Sequence, residues 1–306
     1  MKKLVERESA SGASRLAAVP ALAVQFFLIP LGVVATVVLI YGGFRMMLTS
    51  ERTPAELLAD VRAGGLDRGG AAAYELAWML AEPETEAQNP WLGDALVQLF
   101  EDSEGGDPRV RRYLAWAIGR LASPPPNAVD VLRAALSDPD NETLISVIWA
   151  LASLGGQVTV GDIEAVYQSD DAGVRKMAVY ALGTLTGTGD HATLRNALDD
   201  PAPDVRWNAA VALARHGRDD GVTVIRRMLD RTYVERLVTR SATIEAPIDP
   251  VSEVIVSGLQ AAASLRAAEL REPIEALSET DASLRVREVA MKTLDVLNQS
   301  TRSRDG

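Results

Sequence analysis

The stretch Asp107–Leu121, DPRVRRYLAWAIGRL, decides the fold, because the chain writes it again at intervals. From Asp171 it reads DAGVRKMAVYALGTL, around Val205 APDVRWNAAVALARH, and from Asp281 DASLRVREVAMKTL. Two weaker copies are AAYELAWMLA near Tyr74 and LISVIWALASLG near Trp149. Val110, Val174 and Val205 lie 64 and 31 residues apart, which is two units and one. The unit is therefore about 31–33 residues, the length of a helical-hairpin repeat. Each copy follows a shorter amphipathic stretch, such as AVDVLRAALSD at 128–138, HATLRNALDD at 191–200 and REPIEALSET at 271–280. Asp, Pro and Gly punctuate the joins, as at Asp138-Pro-Asp and Asp200-Pro-Ala-Pro, and supply caps and turns. Helix, turn, helix, turn is a unit that cannot bury its apolar face alone, so the units must stack.

Composition agrees. Hydrophobic residues make up 47% of the 306 but aromatics only 5%, so the apolar content is mostly Ala, Leu and Val. Outside residues 31–40 no long β-branched alternation occurs, and the class is all-α. The motif Asp-x-x-Val-Arg-x-x-Ala-x-x-Ala-Leu-Gly/Ala resembles the HEAT-like repeats best known from phycobilin lyases, over about residues 54–298. The resemblance implies an α-solenoid of about six helical hairpins, with residues 54–299 as the array and 300–306 as a tail. It implies little about activity, because such arrays serve many roles. No bilin-contacting signature falls on a numbered residue here, so lyase activity is not carried over. Two departures stand out: Thr143-Leu144 replaces Val-Arg, and between Leu229 and the AAASL at 261–265 there is an insertion of about 18 residues, 231–249, in the region containing YVERLVTRSATIEAPIDP.

Ahead of the repeats, Leu16 to Phe44 holds 29 residues without a charge. A helix needs about 20 apolar residues to cross the hydrocarbon core, so residues 21–48 are expected to form a single transmembrane helix after a tail at 1–20. Phe26, Phe27, Tyr41 and Phe44 resemble interfacial anchors. The run exits into Arg45-Met-Met-Leu-Thr with no Ala-x-Ala site, which favours an uncleaved anchor over a signal peptide. Four basic residues precede the span and three follow it closely, a bias that places the N-terminus inside and the large domain outside the cytoplasm. The five basic and two acidic side chains of residues 1–48 leave the rest of this −11 chain at −14, a charge that repels nucleic acid. The absence of cysteine removes disulfides and thiolate chemistry.

Reaction chemistry is not legible. The two histidines, His191 and His216, sit where one helix opens and another closes. No HExxH or GxxxxGK[ST] occurs, the glycine pairs read as helix C-caps, and neither cofactor, metal site nor catalytic residue is expected. The motif arginines Arg111, Arg175, Arg206 and Arg285 are expected to pair with carboxylates of adjacent repeats, leaving Arg112 and Arg120 freer to meet an acidic partner.

One feature exceeds the background. With the motif Val as position zero, the buried stripe is Val110, Leu114, Ala117, Ile118 and Leu121, and position 6 lies roughly 145° from its centre. That position holds Tyr74, Trp116, Trp149 and Tyr180 in four consecutive repeats, and positions 2 and 3 add Tyr113, Ile145, Met177 and Trp207. These eight residues are the candidate partner-binding surface. A helical wheel leaves two arrangements open: an exposed ladder, or rings covered sideways by the neighbouring second helix. The sequence thus reads as a membrane-anchored scaffold that binds a protein partner; a lyase-like maturation factor holding a small conjugated ligand on the aromatic row is the alternative. A truncated chain beginning near Ser50 is expected to be soluble, monomeric and strongly helical by circular dichroism. A β-rich spectrum would contradict the fold.

Overall fold

In a computed structural model, residues 31, 34–41, 52–65, 68–155, 160–185, 191–238 and 249–302 are described. The chain divides into two compact units, Met1–Thr53 and Pro54–Gly306. In the first, residues 34–41 are helical, with Val34, Leu39 and Tyr41 exposed. Among the described residues no helix is long and apolar enough to cross a membrane. Most of the expected span, 21–48, lies outside the described residues.

The second unit is an all-helical array with no strand among its described residues. Its helices are α1 (Pro54–Ala63), α2 (Arg68–Met79), α3 (Pro83–Gln88), α4 (Leu92–Asp102), α5 (Pro108–Ile118), α6 (Ala128–Ala134), α7 (Asn141–Leu154), α8 (Val160–Val166) and α9 (Ala172–Thr184). They continue with α10 (Ala192–Asn196), α11 (Pro203–Arg215), α12 (Val222–Met228), α13 (Arg231–Leu237), α14 (Pro250–Leu265), α15 (Arg271–Thr280) and α16 (Leu284–Arg302). The pairs α1/α2, α4/α5, α6/α7, α8/α9, α10/α11, α12/α14 and α15/α16 make seven repeats among the described residues, one more than the sequence suggested. The extra unit is α12/α14, whose second helix carries Ser252-Glu253 where the motif has Val-Arg, so that the sequence shows it only as an insertion. The last helix also runs to Arg302, three residues into the expected tail.

Local chemistry sets the boundaries. Asp107, Asp140, Asp171 and Asp249 cap the second helices α5, α7, α9 and α14 by accepting backbone N–H bonds, such as Thr143 N to Asp140 at 2.8 Å. Pro108, Pro203 and Pro250 occupy first turns, where a missing N–H costs nothing. The second helices α2, α5, α7, α9, α11, α14 and α16 pack successively along their lengths, whereas consecutive first helices touch little. The array therefore bends toward its second-helix side.

Small residues permit that approach. A Cβ built on Gly119 would lie 2.6 Å from the Ala150 Cα and 2.8 Å from Cζ3 of Trp149, and one on Gly183 would lie 2.6 Å from the Ala212 Cβ. Ala150 and Ala212 both occupy motif position 7, and Gly119 and Gly183 position 9. The Ala-Leu-Gly ending is thus a helix–helix crossing written into the repeat.

Buried ion pairs form the second joint. Asp138, Asp200 and Asp281 each open the turn between two helices of a repeat by accepting the N–H two residues on, at 2.8–2.9 Å. Arg111 reaches Asp138 at 2.6 Å, and Arg175 grips Asp200 with two bonds of 2.8 and 3.0 Å. The same guanidiniums bond carbonyl oxygens of their own repeat, Phe100 for Arg111 and Ser169 and Asp170 for Arg175. In the third repeat Leu144 replaces the arginine, and Ser169 replaces the receiving aspartate in the fourth; donor and acceptor are absent together. Arg206 bonds only the carbonyl oxygens of Asp200 and Pro201 among the described residues.

In the last repeat the register differs from the expected one. The helix begins at Leu284, which is exposed, and Val286 is the buried residue. Arg287, not Arg285, therefore holds the motif position and bonds the Asp281 carbonyl. Arg285 pairs with Glu253 on the preceding second helix. The aspartate of this joint receives a different arginine: Arg231, in the inserted stretch, grips Asp281 through two 2.8 Å bonds and also reaches Ser252. Glu253 stands in the motif arginine's place on α14, so the insertion supplies the guanidinium that its own repeat lacks. Residues 239–248 of the insertion lie outside the described residues.

The Asp200 joint has a pH signature. Burial pushes its carboxyl up, but the bonds from Arg175 and the Ala202 amide, with the Arg175 charge, hold it below the usual carboxylate range. The neighbouring Tyr167, which donates to Asp200 at 3.2 Å, is pushed up to about 12 by burial and by that carboxylate's charge. A depressed carboxyl stabilises the fold above its unfolded pKa of about 3.9 and loses that contribution as pH falls through the folded value. Arg175→Ala is expected to cost about 3–5 kcal/mol at neutral pH and to flatten the stability loss below about pH 4. Chemical denaturation across pH checks both; an unchanged slope would contradict the joint's role.

Candidate functional site

The aromatic row lies along the second helices, half-buried between successive members. Tyr74 on α2 stands edge-on to Tyr113 on α5, ring centroids 5.1 Å apart, and 6.5 Å from Trp116. Trp116 meets Trp149 on α7 at 6.4 Å, again edge to face. Aromatic pairs favour such offset and T-shaped contacts, each adding about 0.5–1.5 kcal/mol beyond burial. Neither open arrangement from the helical wheel holds alone: the rings are covered sideways, as a core would be, while one edge stays accessible. The reason is the glycine crossing. With Gly119 bare, the Trp149 indole lies against the α5 backbone, and the helices come too close for its ring to stand free.

Trp78 completes the cluster and was missed from sequence. It sits at position 10, one turn beyond Tyr74, and packs 6.2 Å from Tyr74 and 6.0 Å from Trp116. It is 51% exposed, and Tyr74 is 43% exposed. The signal was available, since the i, i+4 spacing of Tyr74 and Trp78 puts both on one helix face. Arg120, at the same position 10 of the next repeat, lays its guanidinium over Trp116 at 4.3 Å and over Trp78 at 5.6 Å. One of its nitrogens donates to the Ala77 carbonyl at 3.3 Å.

Beside these rings a cavity of about 170 Å³ is lined by Arg112, Tyr113, Trp116, Ile145, Ser146, Trp149 and Met177. Arg112 is less free than the sequence suggested: it faces Asp140 at 3.6 Å and Glu142 at 3.9 Å. Its Nε is buried with no hydrogen-bond partner. Asp140 is held below the usual carboxylate range by the Thr143 hydroxyl and amide and by Arg112, against the opposing effect of burial. Further along, Tyr180 and Trp207 line a second cavity, about 250 Å³, with Arg215 and Met228. Trp207 departs from its expected role, being only 5% exposed. It sits on the inward flank of α11 and forms part of the core beneath that cavity rather than a free contact. The row therefore resolves into one five-ring cluster with Ile145 and Met177 beside it, and a separate Tyr180–Arg215 contact at 6.0 Å.

Elsewhere, His191 and His216 stack with centroids 4.4 Å apart, bringing together two helix ends that the sequence treated separately. His216 Nε2 lies 3.1 Å from the Leu182 carbonyl oxygen. Among the described residues no group of three or more His, Asp and Glu could hold a metal ion. A larger groove of about 750 Å³ runs between α12, α13 and α15, with no aromatic ring among its described lining.

A family model described as HEAT repeats matches residues 93–183 and 163–246. Solved structures similar in fold include human deoxyhypusine hydroxylase in complex with glycerol, at 16% identity over 80% of this chain and 84% of that one, with a TM-score of 0.34. A designed armadillo repeat protein in complex with the peptide (KR)4 is similar at 17% identity over 81% of this chain and 100% of that one, with a TM-score of 0.41. No curated protein matches the chain.

The shared dependence of packing and site is testable in two variants. Gly119→Ala is expected to destabilise the protein by about 1–3 kcal/mol through overpacking and to change the near-ultraviolet circular dichroism of the displaced tryptophans. Trp78→Ala is expected to stay within about 0.5 kcal/mol of the parent, as an exposed position should. Equal stability losses in the two would show that Trp78 is core.

Proposed function

The chain belongs to the HEAT-repeat family, and on that premise we propose that it is a membrane-anchored scaffold whose second-helix aromatic face receives a protein partner. The observation that carries this reading is the five-ring cluster, in which Trp78 and Tyr74 remain 51% and 43% exposed while Arg120 stacks over Trp78 and Trp116. Trp, Tyr and Arg are the residues that dominate binding energy in protein interfaces, where they form central anchors. The face joins several helices, so a partner engages a surface that only the folded array creates.

The cavity beside the cluster separates this reading from the lyase-like alternative. At about 170 Å³ it has room for a side chain, whereas sites for small molecules run to about 300–1,000 Å³. The net charge of −14 beyond residue 48 speaks against a nucleic-acid partner.

The anchor rests on the 29-residue charge-free run. It is supported by residues 34–41, where Val34, Val37, Val38 and Leu39 are all more than half exposed, an apolar surface all round a helix. The array is placed outside the cytoplasm by the Lys/Arg bias of the flanks. The full chain is expected to resist alkaline carbonate extraction, and the array to be cut by protease added to intact spheroplasts. Release by carbonate would refute the anchor, and protection of the array would reverse the topology. Trp78→Ala is expected to lose a partner that co-purifies from membranes, by about 2 kcal/mol or more in affinity; undiminished retention would refute the aromatic face.

A further inference from the structure

The arginines around the aromatic cluster differ in their partners. Around the cluster the other arginines meet carboxylates: Arg109 pairs with Asp107, Arg111 with Asp138, and Arg112 faces Asp140 and Glu142. Arg120 does not. Its contacts are two indole faces and one backbone carbonyl, with no carboxylate among the described residues. Arg215 repeats the arrangement at the same motif position three second helices further on, exposed, over the Tyr180 ring and likewise without a carboxylate partner among the described residues. The acidic groups beside it are already engaged, Asp204 by Lys176 and Glu253 by Arg285. In a part of the chain whose net charge is −14, two half-used guanidiniums flanking an aromatic surface are a specific charge pattern.

Resting on the aromatic face as the binding surface, we propose that its occupant is an extended segment of a partner protein, acidic at both ends and apolar in its middle. One end pairs its carboxylate with Arg120 and lies against Trp78, which the same guanidinium overlies at 5.6 Å; the other pairs with Arg215, while the apolar side chains between them cover Trp116 and Trp149 and enter the two cavities. The geometry sets the length. Packed helices stand about 8–10 Å apart, so the three steps from α5 to α11 span about 24–30 Å. At about 3.3 Å per extended residue this corresponds to roughly seven to nine residues. Each guanidinium lies over a ring, Arg120 at 4.3 Å from the Trp116 centroid and Arg215 at 6.0 Å from that of Tyr180, and a guanidinium's planar fork of donors suits a carboxylate. Arg112, whose Nε is buried without a partner, is one of the residues lining the first cavity.

The test is fluorescence anisotropy with the full chain in detergent micelles and three labelled nonapeptides. The first has two glutamates at each end and leucine and phenylalanine between them; the second replaces the glutamates by lysine, and the third by glutamine. The acidic probe is expected to bind with an affinity that falls as salt rises, and about tenfold or more better than the lysine probe. Arg120→Gln and Arg215→Gln are each expected to weaken the acidic probe by about tenfold and to leave the glutamine probe unchanged, while Trp78→Ala weakens both. Arg120→Lys, which keeps the charge but not the planar stack, controls for folding and should retain part of the preference. Lysine and acidic probes of equal affinity, or acidic binding indifferent to both arginine variants, would overturn the acidic occupant while leaving the aromatic face standing, provided Trp78→Ala still weakens binding. Indifference to Trp78→Ala as well would overturn the face itself. Absence of binding by every probe would overturn the proposed occupant.

Discussion

Consecutive second helices approach so closely that glycine at motif position 9 meets alanine at position 7 of the next repeat, and the rest of the array follows from that contact. The approach leaves no space for a Cβ at Gly119 or Gly183. It also presses the large residues of position 6 against the neighbouring helix, which is why Trp116 and Trp149 touch edge to face. A wider crossing would leave those rings as separate pendants. The same small residues that make the solenoid therefore make the aromatic surface continuous, and the fold and the site have one cause.

The arginine–aspartate joints add register to this close packing. A turn aspartate that is already fixed by a backbone N–H has only one direction open, and the guanidinium of the preceding repeat fills it. Removing either member would leave a buried charge without its partner, which is a larger loss than the pair's net contribution. That asymmetry accounts for the pairwise pattern at the third repeat, where Leu144 and Ser169 replace donor and acceptor together. It also gives the insertion after Leu229 a structural part, since Arg231 completes the joint to Asp281.

Much of this was legible in the sequence. The period and the Asp-Pro punctuation gave the all-α solenoid and the second helices, because capping and amphipathicity are local properties. The last repeat misled because Leu284-Arg285 and Val286-Arg287 both fit the Val-Arg pattern. Only burial, which depends on how the Asp281 turn delivers the helix, chooses between them. The site was half-legible. Position 6 was found by its recurrence, but Trp78 and Arg120 share position 10 as an aromatic and a cation, and no pattern of identical residues marks them. Their partnership exists across two helices, and Trp207 could be placed in the core only when the flank of α11 facing the next repeat was known.

The central claim is that the accessible edge of the five-ring cluster, and not some other part of the array, receives the ligand. The protein holds five tryptophans, and their indole N–H groups give separate signals in a ¹H–¹⁵N correlation spectrum. Three belong to the cluster, Trp207 lies in the core, and Trp91, 45% exposed, opens α4 outside the ring contacts described for the cluster. Titration with the glutamate-ended nonapeptide is the direct measurement. The indole signals of Trp78, Trp116 and Trp149 should shift together with one saturation curve while Trp91 stays in place. Movement of Trp91 alone, or saturation of the peptide with the cluster signals unmoved, would contradict the account.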